Sequence, residues 1–308
     1  MIKYNKTADP GFGNFSAENV QRFVNKDGTF NIKHINNRNR IQTTFTYLVN
    51  ISWGRFFLLV LAGYIVINSF FAVIYLLAGI DSIHPSTGNR FYDFLNAFFF
   101  SAQTITTVGY GAMSPTGVLT GIISTFQALI GLLSFSFITG LLYGRFARPK
   151  SFIKFSSKII CRPFKEGNAI MFRMMNTKKS IMINPTVAVT LVLLNKEGES
   201  YQSEFYKLEL EREKISYLPT TWTVVHEINN SSPFSEFSVD ELKQLKGELV
   251  VLATYFEKSF NQDVYQVHSY TLDEFAFGES FRKAFDFDSD GITVLDHSKL
   301  DSTDRLNS

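Results

Sequence analysis

Hydrophobic positions along the chain are concentrated in two long, unbroken stretches. Residues 56–80 and 117–144 contain no charged side chain. Each stretch exceeds the roughly 20 residues that an α-helix needs to cross the hydrocarbon core of a membrane. Two buried helices of a soluble protein are the alternative, but such helices rarely stay free of charge over this length. The pattern therefore predicts two transmembrane helices.

A third apolar run, residues 91–106, lies between these stretches and is too short for another crossing. It predicts a half-membrane helix, and the sequence TVGYG follows it directly. Irregular backbone at membrane depth is tolerated only where it lines a polar cavity or is buried in protein. Glycine adopts positive φ without steric cost, so Gly109 and Gly111 would let successive carbonyl groups face one axis. Such carbonyl groups can replace the water around a dehydrated cation.

The sequence TVGYG is the established filter loop of potassium channels, so the link to potassium rests on that resemblance. The predicted filter residues are Thr107, Val108, Gly109, Tyr110 and Gly111. We expect the carbonyls from Thr107 to Tyr110, with the Thr107 hydroxyl, to bind K⁺. One copy of the loop cannot surround an ion and the chain has no internal repeat, which predicts a homotetramer with four-fold cyclic symmetry.

Basic residues lie before the first long stretch and after the second. Those before the first are Arg38, Arg40 and Arg55, and those after the second are Arg145, Arg148, Lys150, Lys154 and Lys158. The connecting segment carries only Arg90. By the positive-inside tendency, we expect both termini to be cytoplasmic in a multi-pass protein of the inner (cell) membrane. The net charge of +2 gives no indication of nucleic-acid binding.

The C-terminal half changes character. It contains alternating runs typical of strands, separated by turn-forming sequences such as NKEGES and NNSSPFS. The predicted strands are 180–194, 220–228, 249–256 and 264–270. Several short strands with little helix predict an antiparallel β-sandwich, with one short helix at 239–246. The predicted domains are an N-terminal cytoplasmic segment (1–36), a slide helix and two-helix pore domain (37–150), and a cytoplasmic regulatory domain (151–308).

The chain resembles the prokaryotic inward-rectifier-type potassium channels over roughly residues 34–300. The resemblance is carried by Ser52-Trp53 at the start of the first stretch, by FFFSAQTITTVGYG, by GLLYGRFARPK and by TVVHEINNSSPF. It implies a membrane α plus all-β fold, with a re-entrant pore helix and an immunoglobulin-like cytoplasmic sandwich. It also implies an amphipathic slide helix, for which residues 40–49 are suitable, although a plain linker is the alternative. No enzymatic activity and no cofactor other than the permeant K⁺ are expected.

Departures from the family pattern concern charge near the pore. Gln103 stands where many relatives have a Glu, and Met113 stands where eukaryotic members have an Arg, so the ion pair that braces their filter is absent. Phe135 occupies the position at which strong rectifiers carry an acidic residue. We therefore expect weak intrinsic block by polyamines.

The second stretch contains candidate gating residues. Tyr143 matches the bulky ring that narrows the helix bundle in the resembling channels, although an interface anchor is the alternative. Gly131 and Gly140 are hinge candidates, and close helix packing is an equal alternative. Arg145, Arg148 and Lys150 form a basic cluster suited to anionic lipid headgroups, unless they serve only as topology signals.

An acidic sequence and one histidine in the C-terminal half are interpreted as structural features. The sequence DFDSDG at 286–291 matches the start of an EF-hand loop, but His297 replaces the bidentate Glu, which favours an acidic surface turn. His226 is interpreted as a structural hydrogen-bonding residue rather than a pH sensor. The prediction for the whole chain is a potassium-selective channel gated by its cytoplasmic domain and by anionic lipid. A non-conducting membrane ligand sensor on a channel-like scaffold is the alternative.

Overall fold

The computed structural model describes residues 6–13, 15–16, 22–33, 35, 40–197, 200–242 and 245–306. Arg38, one of the predicted topology charges, lies outside the described residues. The chain divides into two compact units. Residues 35–148 form a helical unit. The described parts of 1–34 and of 149–308 form a β-rich unit, so the N-terminal segment belongs with the strands.

Four helices make up the helical unit. They are α1 (Arg40–Asn50), α2 (Trp53–Ala78), α3 (Arg90–Ile105) and α4 (Val118–Phe146), with a 3₁₀ turn at Ile80–Ser82 between α2 and α3. Among the described residues, α2 and α4 are the helices long and apolar enough to cross a membrane. The predictions of two transmembrane helices, a short helix between them and a helix at 40–49 are confirmed.

The ends of these helices follow from local sequence. Gly79 ends α2 at φ 98°, a conformation that side-chain-bearing residues avoid. The Asn89 side chain caps α3 by accepting a hydrogen bond from the Phe91 backbone N–H. Phe71, Ala72, Tyr75, Ile83, Ala97 and Phe100 form the buried apolar cluster that joins α2 to α3.

The β-rich unit contains two main sheets. The first has the strand order β1-β6-β5-β9-β10, with β7 also paired to β5. The second has the order β11-β3-β4-β2, with β8 also paired to β4. Residues from both sheets form one large buried apolar cluster, which includes Phe172 and Val224 from the second sheet and Leu191 and Val251 from the first. The two sheets therefore enclose one core, and the predicted β-sandwich is confirmed.

The bounds of the strands in the first sheet are β1 (Phe15–Ser16), β5 (Met182–Glu197), β6 (Ser200–Leu208), β7 (Tyr217–Leu218), β9 (Gly247–Glu257) and β10 (Gln262–Thr271). Those in the second are β2 (Ile153–Phe155), β3 (Ile159–Phe164), β4 (Gly167–Asn176), β8 (Thr221–Ile228) and β11 (Phe275–Phe277). Two small antiparallel pairs follow: β12 (Glu279–Phe281) with β15 (Thr303–Arg305), and between them in the chain β13 (Phe285–Phe287) with β14 (Thr293–Leu295).

The four strands predicted from alternation are confirmed as β5, β8, β9 and β10. Strand β4 was not predicted, because its residues from Ala169 to Asn176 are buried on both faces and so show no alternation. Within the predicted helix at 239–246, α5 covers Val239–Leu242, residues 243–244 lie outside the described residues, and residues 245–246 are not helical.

The described part of the N-terminal segment lies on the first sheet. Strand β1 pairs with β6, and the Glu248 carboxylate accepts hydrogen bonds from the backbone N–H groups of Phe23 and Val24 at 2.5 and 3.1 Å. Arg22 and Lys26 both form ion pairs with Glu274. These contacts bind the segment to strands that are distant in sequence.

Candidate ion-conduction site

The filter loop has an alternating backbone. The φ angles of Thr107, Gly109 and Gly111 are 58°, 53° and 84°, whereas Val108 and Tyr110 are not among the positive-φ residues. An alternation of positive and negative φ turns successive carbonyl groups toward the same side, as a row of ion ligands requires. The positive φ expected of the two glycines is confirmed.

The left-handed conformation of Thr107 was not predicted. A β-branched residue with positive φ is rare and costs on the order of 1–3 kcal/mol. Two backbone hydrogen bonds hold the loop against the end of α3: Thr107 N–H donates to Thr104 O at 3.1 Å, and Val108 N–H donates to Gln103 O at 3.0 Å. The end of the pore helix therefore determines the conformation of the first filter residue.

The inner part of α4 presents large apolar side chains to the surroundings of the single chain. Phe135 is 71% exposed and Tyr143 is 76% exposed. A cavity of about 780 Å³ runs between α2 and α4, and both Thr107 and Phe135 line it. The predicted rectification residue and the inner end of the filter therefore border the same space.

The two hinge candidates have different surroundings. A Cβ atom at Gly131 would lie 2.1 Å from the backbone oxygen of Ile105, the last residue of α3. A Cβ atom at Gly140 would meet nothing within 4 Å. Of the two alternatives left open by the sequence, the geometry at Gly131 is that of close packing between α3 and α4.

The three basic residues of the predicted cluster, Arg145, Arg148 and Lys150, have different surroundings. The Arg145 guanidinium donates hydrogen bonds to the carbonyls of Leu48, Val49 and Ile51, at 2.6, 3.1 and 2.7 Å. It also lies over the Trp53 ring, 4.5 Å from the ring centroid. These contacts attach the Arg145 guanidinium to the C-terminal end of α1, and lipid binding by Arg145 stays a prediction.

The other two basic residues are exposed. Arg148 donates a hydrogen bond to the side-chain oxygen of Asn50, which lies between two of the residues whose carbonyls bind Arg145. Lys150 lies in the β-rich unit of the chain. Both keep part or all of their charge accessible, so they remain candidates for headgroup binding.

The acidic turn at 286–291 and His226 both make hydrogen bonds within the fold. The Asp288 carboxylate accepts hydrogen bonds from the backbone N–H groups of Asp290 and Ile292 in the turn between β13 and β14, and no group of metal-binding side chains occurs in the described part of the chain. The His226 ring contacts Glu209 O at 2.7 Å and Ser232 Oγ at 2.8 Å. Burial lowers the pKa of His226, which favours the neutral ring.

Comparison with known proteins assigns this geometry to a family. Residues 153–308 match the inward rectifier potassium channel C-terminal domain, and residues 56–147 match an ion channel domain. The chain belongs to the inward rectifier potassium channel family. Members of this family are channels and not enzymes, and the chain is a membrane channel of this family.

Relatives in this family match nearly the whole chain. Inward rectifier potassium channel Kirbac3.1 of Paramagnetospirillum magnetotacticum is 32% identical over 285 residues, which is 91% of this chain and 94% of the relative. G protein-activated inward rectifier potassium channel 2 of Mus musculus is 26% identical over 92% of this chain and 72% of its own length. G protein-activated inward rectifier potassium channel 3 of Mus musculus is 24% identical over 92% of this chain and 77% of its own length.

Sequence reasoning missed a set of polar residues behind the filter. Asn68, Tyr75, Ser101 and Gln127 are all completely buried between α2, α3 and α4. The only sequence signal was their polarity within apolar stretches, and polar residues inside membrane helices are rare and often functional. Met113, by contrast, packs against the apolar cluster of the helical unit.

Proposed function

We propose that four copies of this chain form one potassium-selective pore, with the carbonyls of Thr107 to Tyr110 as ion ligands. The observation that supports this proposal is the alternating φ of the filter loop, with Thr107 and Gly109 left-handed. Val108 and Tyr110 are 52% and 78% exposed in the single chain, as expected if neighbouring subunits cover them. The pore lies in the inner membrane with both termini on the cytoplasmic side, where the basic residues after α4 lie.

Flux through purified protein in liposomes tests this function. We expect uptake of K⁺ or Rb⁺ that external Ba²⁺ blocks and that Na⁺ does not support. The oligomer should have the mass of four chains after chemical cross-linking. Absence of ion flux in every lipid mixture would contradict the proposal and favour a non-conducting ligand sensor.

We further propose that the pore is gated at Tyr143, by the β-sandwich and by anionic lipid at Arg148 and Lys150. The large exposed ring of Tyr143 near the end of α4 supports a constriction where four helices converge. Basic side chains near a membrane surface attract anionic lipid with about 1 kcal/mol per charge. Whether lipid opens or closes the pore depends on which state it binds better.

A lipid titration of flux tests this second proposal. Replacing Arg148 and Lys150 together by Gln should change the response of flux to the fraction of anionic lipid and leave the K⁺-to-Na⁺ preference unchanged. The control is Lys154→Gln, which removes a neighbouring positive charge in β2. An identical titration in the double variant and in wild type would reduce both residues to topology signals.

A further inference from the structure

A chain of hydrogen bonds joins three helices behind the filter. Tyr75 in α2 donates its hydroxyl hydrogen to Gln127 Oε1 in α4 at 2.7 Å. Gln127 Nε2 donates to the hydroxyl oxygen of Ser101 in α3 at 2.6 Å and to the Ser101 carbonyl at 3.0 Å. The Ser101 hydroxyl donates in turn to Asn68 Oδ1 at 2.7 Å, and Asn68 Nδ2 donates to Tyr64 O at 2.8 Å.

Every polar side-chain atom in this hydrogen-bond network has a partner within it. Both hydrogens of the Gln127 amide are used, its oxygen accepts from Tyr75, and the Ser101 hydroxyl both donates and accepts. Because these side chains are 0% exposed and lie between α2, α3 and α4, neither water nor lipid could replace a lost partner. A buried network in which each polar atom has a partner favours one relative position of its elements.

The helix held by this network carries the filter. Ser101 lies in the last third of α3, whose end at Gln103 and Thr104 accepts the backbone hydrogen bonds of the first filter residues. The oxygen of Ile105 packs against Gly131 of α4. A shift of α3 relative to α4 would therefore move the carbonyl oxygens of the filter by a similar amount.

We propose that Asn68, Tyr75, Ser101 and Gln127 are positioning residues that set the selectivity of the filter. In this chain Gln103 and Met113 supply no ion pair near the filter, so the neutral network holds the pore helix instead. The proposal rests on the proposed function as a potassium-selective pore. It assigns to these residues a role in discrimination between ions, in addition to a role in folding.

The position of each residue in the network predicts the size of its effect. Gln127 is central, and its replacement by Leu removes the acceptor of the Tyr75 hydroxyl and both hydrogen bonds that the amide donates to Ser101. Tyr75 is terminal, and Tyr75→Phe removes one hydroxyl while keeping the ring, which packs edge-on against Phe100 at 4.9 Å. The two variants therefore remove different numbers of hydrogen bonds from the network, and both keep an apolar side chain at the position.

Ion selectivity in assembled channels tests the proposal. We measure the ratio of Rb⁺ to Na⁺ uptake in liposomes, and the tetramer by size-exclusion chromatography, for wild type, Tyr75→Phe and Gln127→Leu. The control is Ser124→Ala, because among the described residues the Ser124 hydroxyl donates only to Gly121 O of its own helix. We expect the ratio to fall about three- to tenfold in Tyr75→Phe, as for one lost interhelical hydrogen bond, and further in Gln127→Leu.

The possible outcomes separate this inference from the proposed function. A wild-type ratio in both variants, measured on intact tetramers, would overturn the inference and leave the potassium pore standing. Loss of the tetramer in both variants would show a folding role alone and would also overturn it. A wild type that does not discriminate between the ions would overturn the proposed function, and the inference with it.

Discussion

At the scale of single residues, backbone conformation matters more in the filter than side-chain contacts. A Cβ atom at Gly109 would meet nothing within 4 Å in the single chain, so the only local obstacle to a side chain is the φ of 53°. Thr107 adopts a similar φ despite its branched side chain, at a cost that the hydrogen bonds to the end of α3 offset.

Gly109→Ala should therefore abolish potassium-selective flux and leave the tetramer intact. The added methyl group disfavours positive φ by about 1 kcal/mol or more, which is enough to rotate a carbonyl away from the ion path. Flux assays in liposomes measure the effect. Gly121→Ala is the control, since Gly121 lies within α4 at negative φ with equally open surroundings. Wild-type selectivity in Gly109→Ala would remove the filter assignment.

His268 contributes to the sensitivity of the β-rich unit to acid. Its ring stacks on Phe155 with centroids 4.6 Å apart, and it faces Lys26 O, Arg22 and Glu274. Burial lowers the pKa of His268 to about 4, and the nearby cations act in the same direction. The unfolded chain, in which histidine titrates near 6.5, binds more protons between these values, so stability falls as the pH decreases from about 6.5 toward 4.

We expect the wild-type chain to lose about 2 kcal/mol of unfolding free energy between about pH 7 and pH 5 from His268 alone. His268→Phe should keep the stacking and show a smaller loss over the same range. Thermal unfolding of the full chain in detergent, followed by the β-sheet circular dichroism signal, measures this. His297→Gln, at an exposed histidine, is the control. An unchanged pH dependence in His268→Phe would contradict the assignment.

At the scale of elements, contacts between helices decide which predictions stand. Arg145 binds the carbonyls at the end of α1, which have no partners within that helix. A positive charge at this end also interacts favourably with the helix dipole. The residue that sequence position suggested for lipid binding thus joins α4 to α1, so a movement of one helix is transmitted to the other.

The contrast between Gly131 and Gly140 is testable at the same scale. Gly131→Ala should lower the thermal stability of the tetramer, by the 1–3 kcal/mol typical of overpacking, because its Cβ would overlap the Ile105 oxygen. Gly140→Ala should maintain or raise stability, since the site is open and alanine favours a helix by up to about 1 kcal/mol. If Gly140 is a hinge, this variant should change open probability nonetheless. Equal stabilities of the two variants would contradict the packing role of Gly131.

At the scale of the whole molecule, conduction and block belong to the assembled pore. A polyamine in the inner pore loses water, and a ring of carboxylates would offset part of that cost. Phe135 supplies no charge, and α4 contains no acidic residue. Ser134 lines the same cavity but offers only a dipole.

Phe135→Asp should therefore strengthen spermine block and make it more voltage-dependent, because the cation would reach a deeper site. Recordings in planar bilayers, with spermine on the cytoplasmic side, measure the effect. Leu133→Asp, at an exposed position of the same helix that does not line this cavity, is a control for added charge alone. If wild type is already blocked at low spermine concentration and Phe135→Asp is no more sensitive, Phe135 does not face the pore.

The sequence by itself determined the features that are local. Long charge-free runs predicted α2 and α4 to within three residues at each end, and the glycines of the filter loop required positive φ where the structure has it. Alternation identified β5, β8, β9 and β10, because one face of each is buried more than the other. These signals lie within a single segment, so no knowledge of its neighbours was needed.

Only the tertiary structure decided which side chains act together. Strand β4 is buried on both faces, so its pattern carried no period. The left-handed Thr107 depends on the end of α3, and the role of Arg145 depends on where α1 ends beside α4. Gln127 and Ser101 are separated by 26 positions and form their hydrogen bonds because two helices pack together. Polarity inside an apolar stretch indicated that each needed a partner, but the packing of α2, α3 and α4 determined which one.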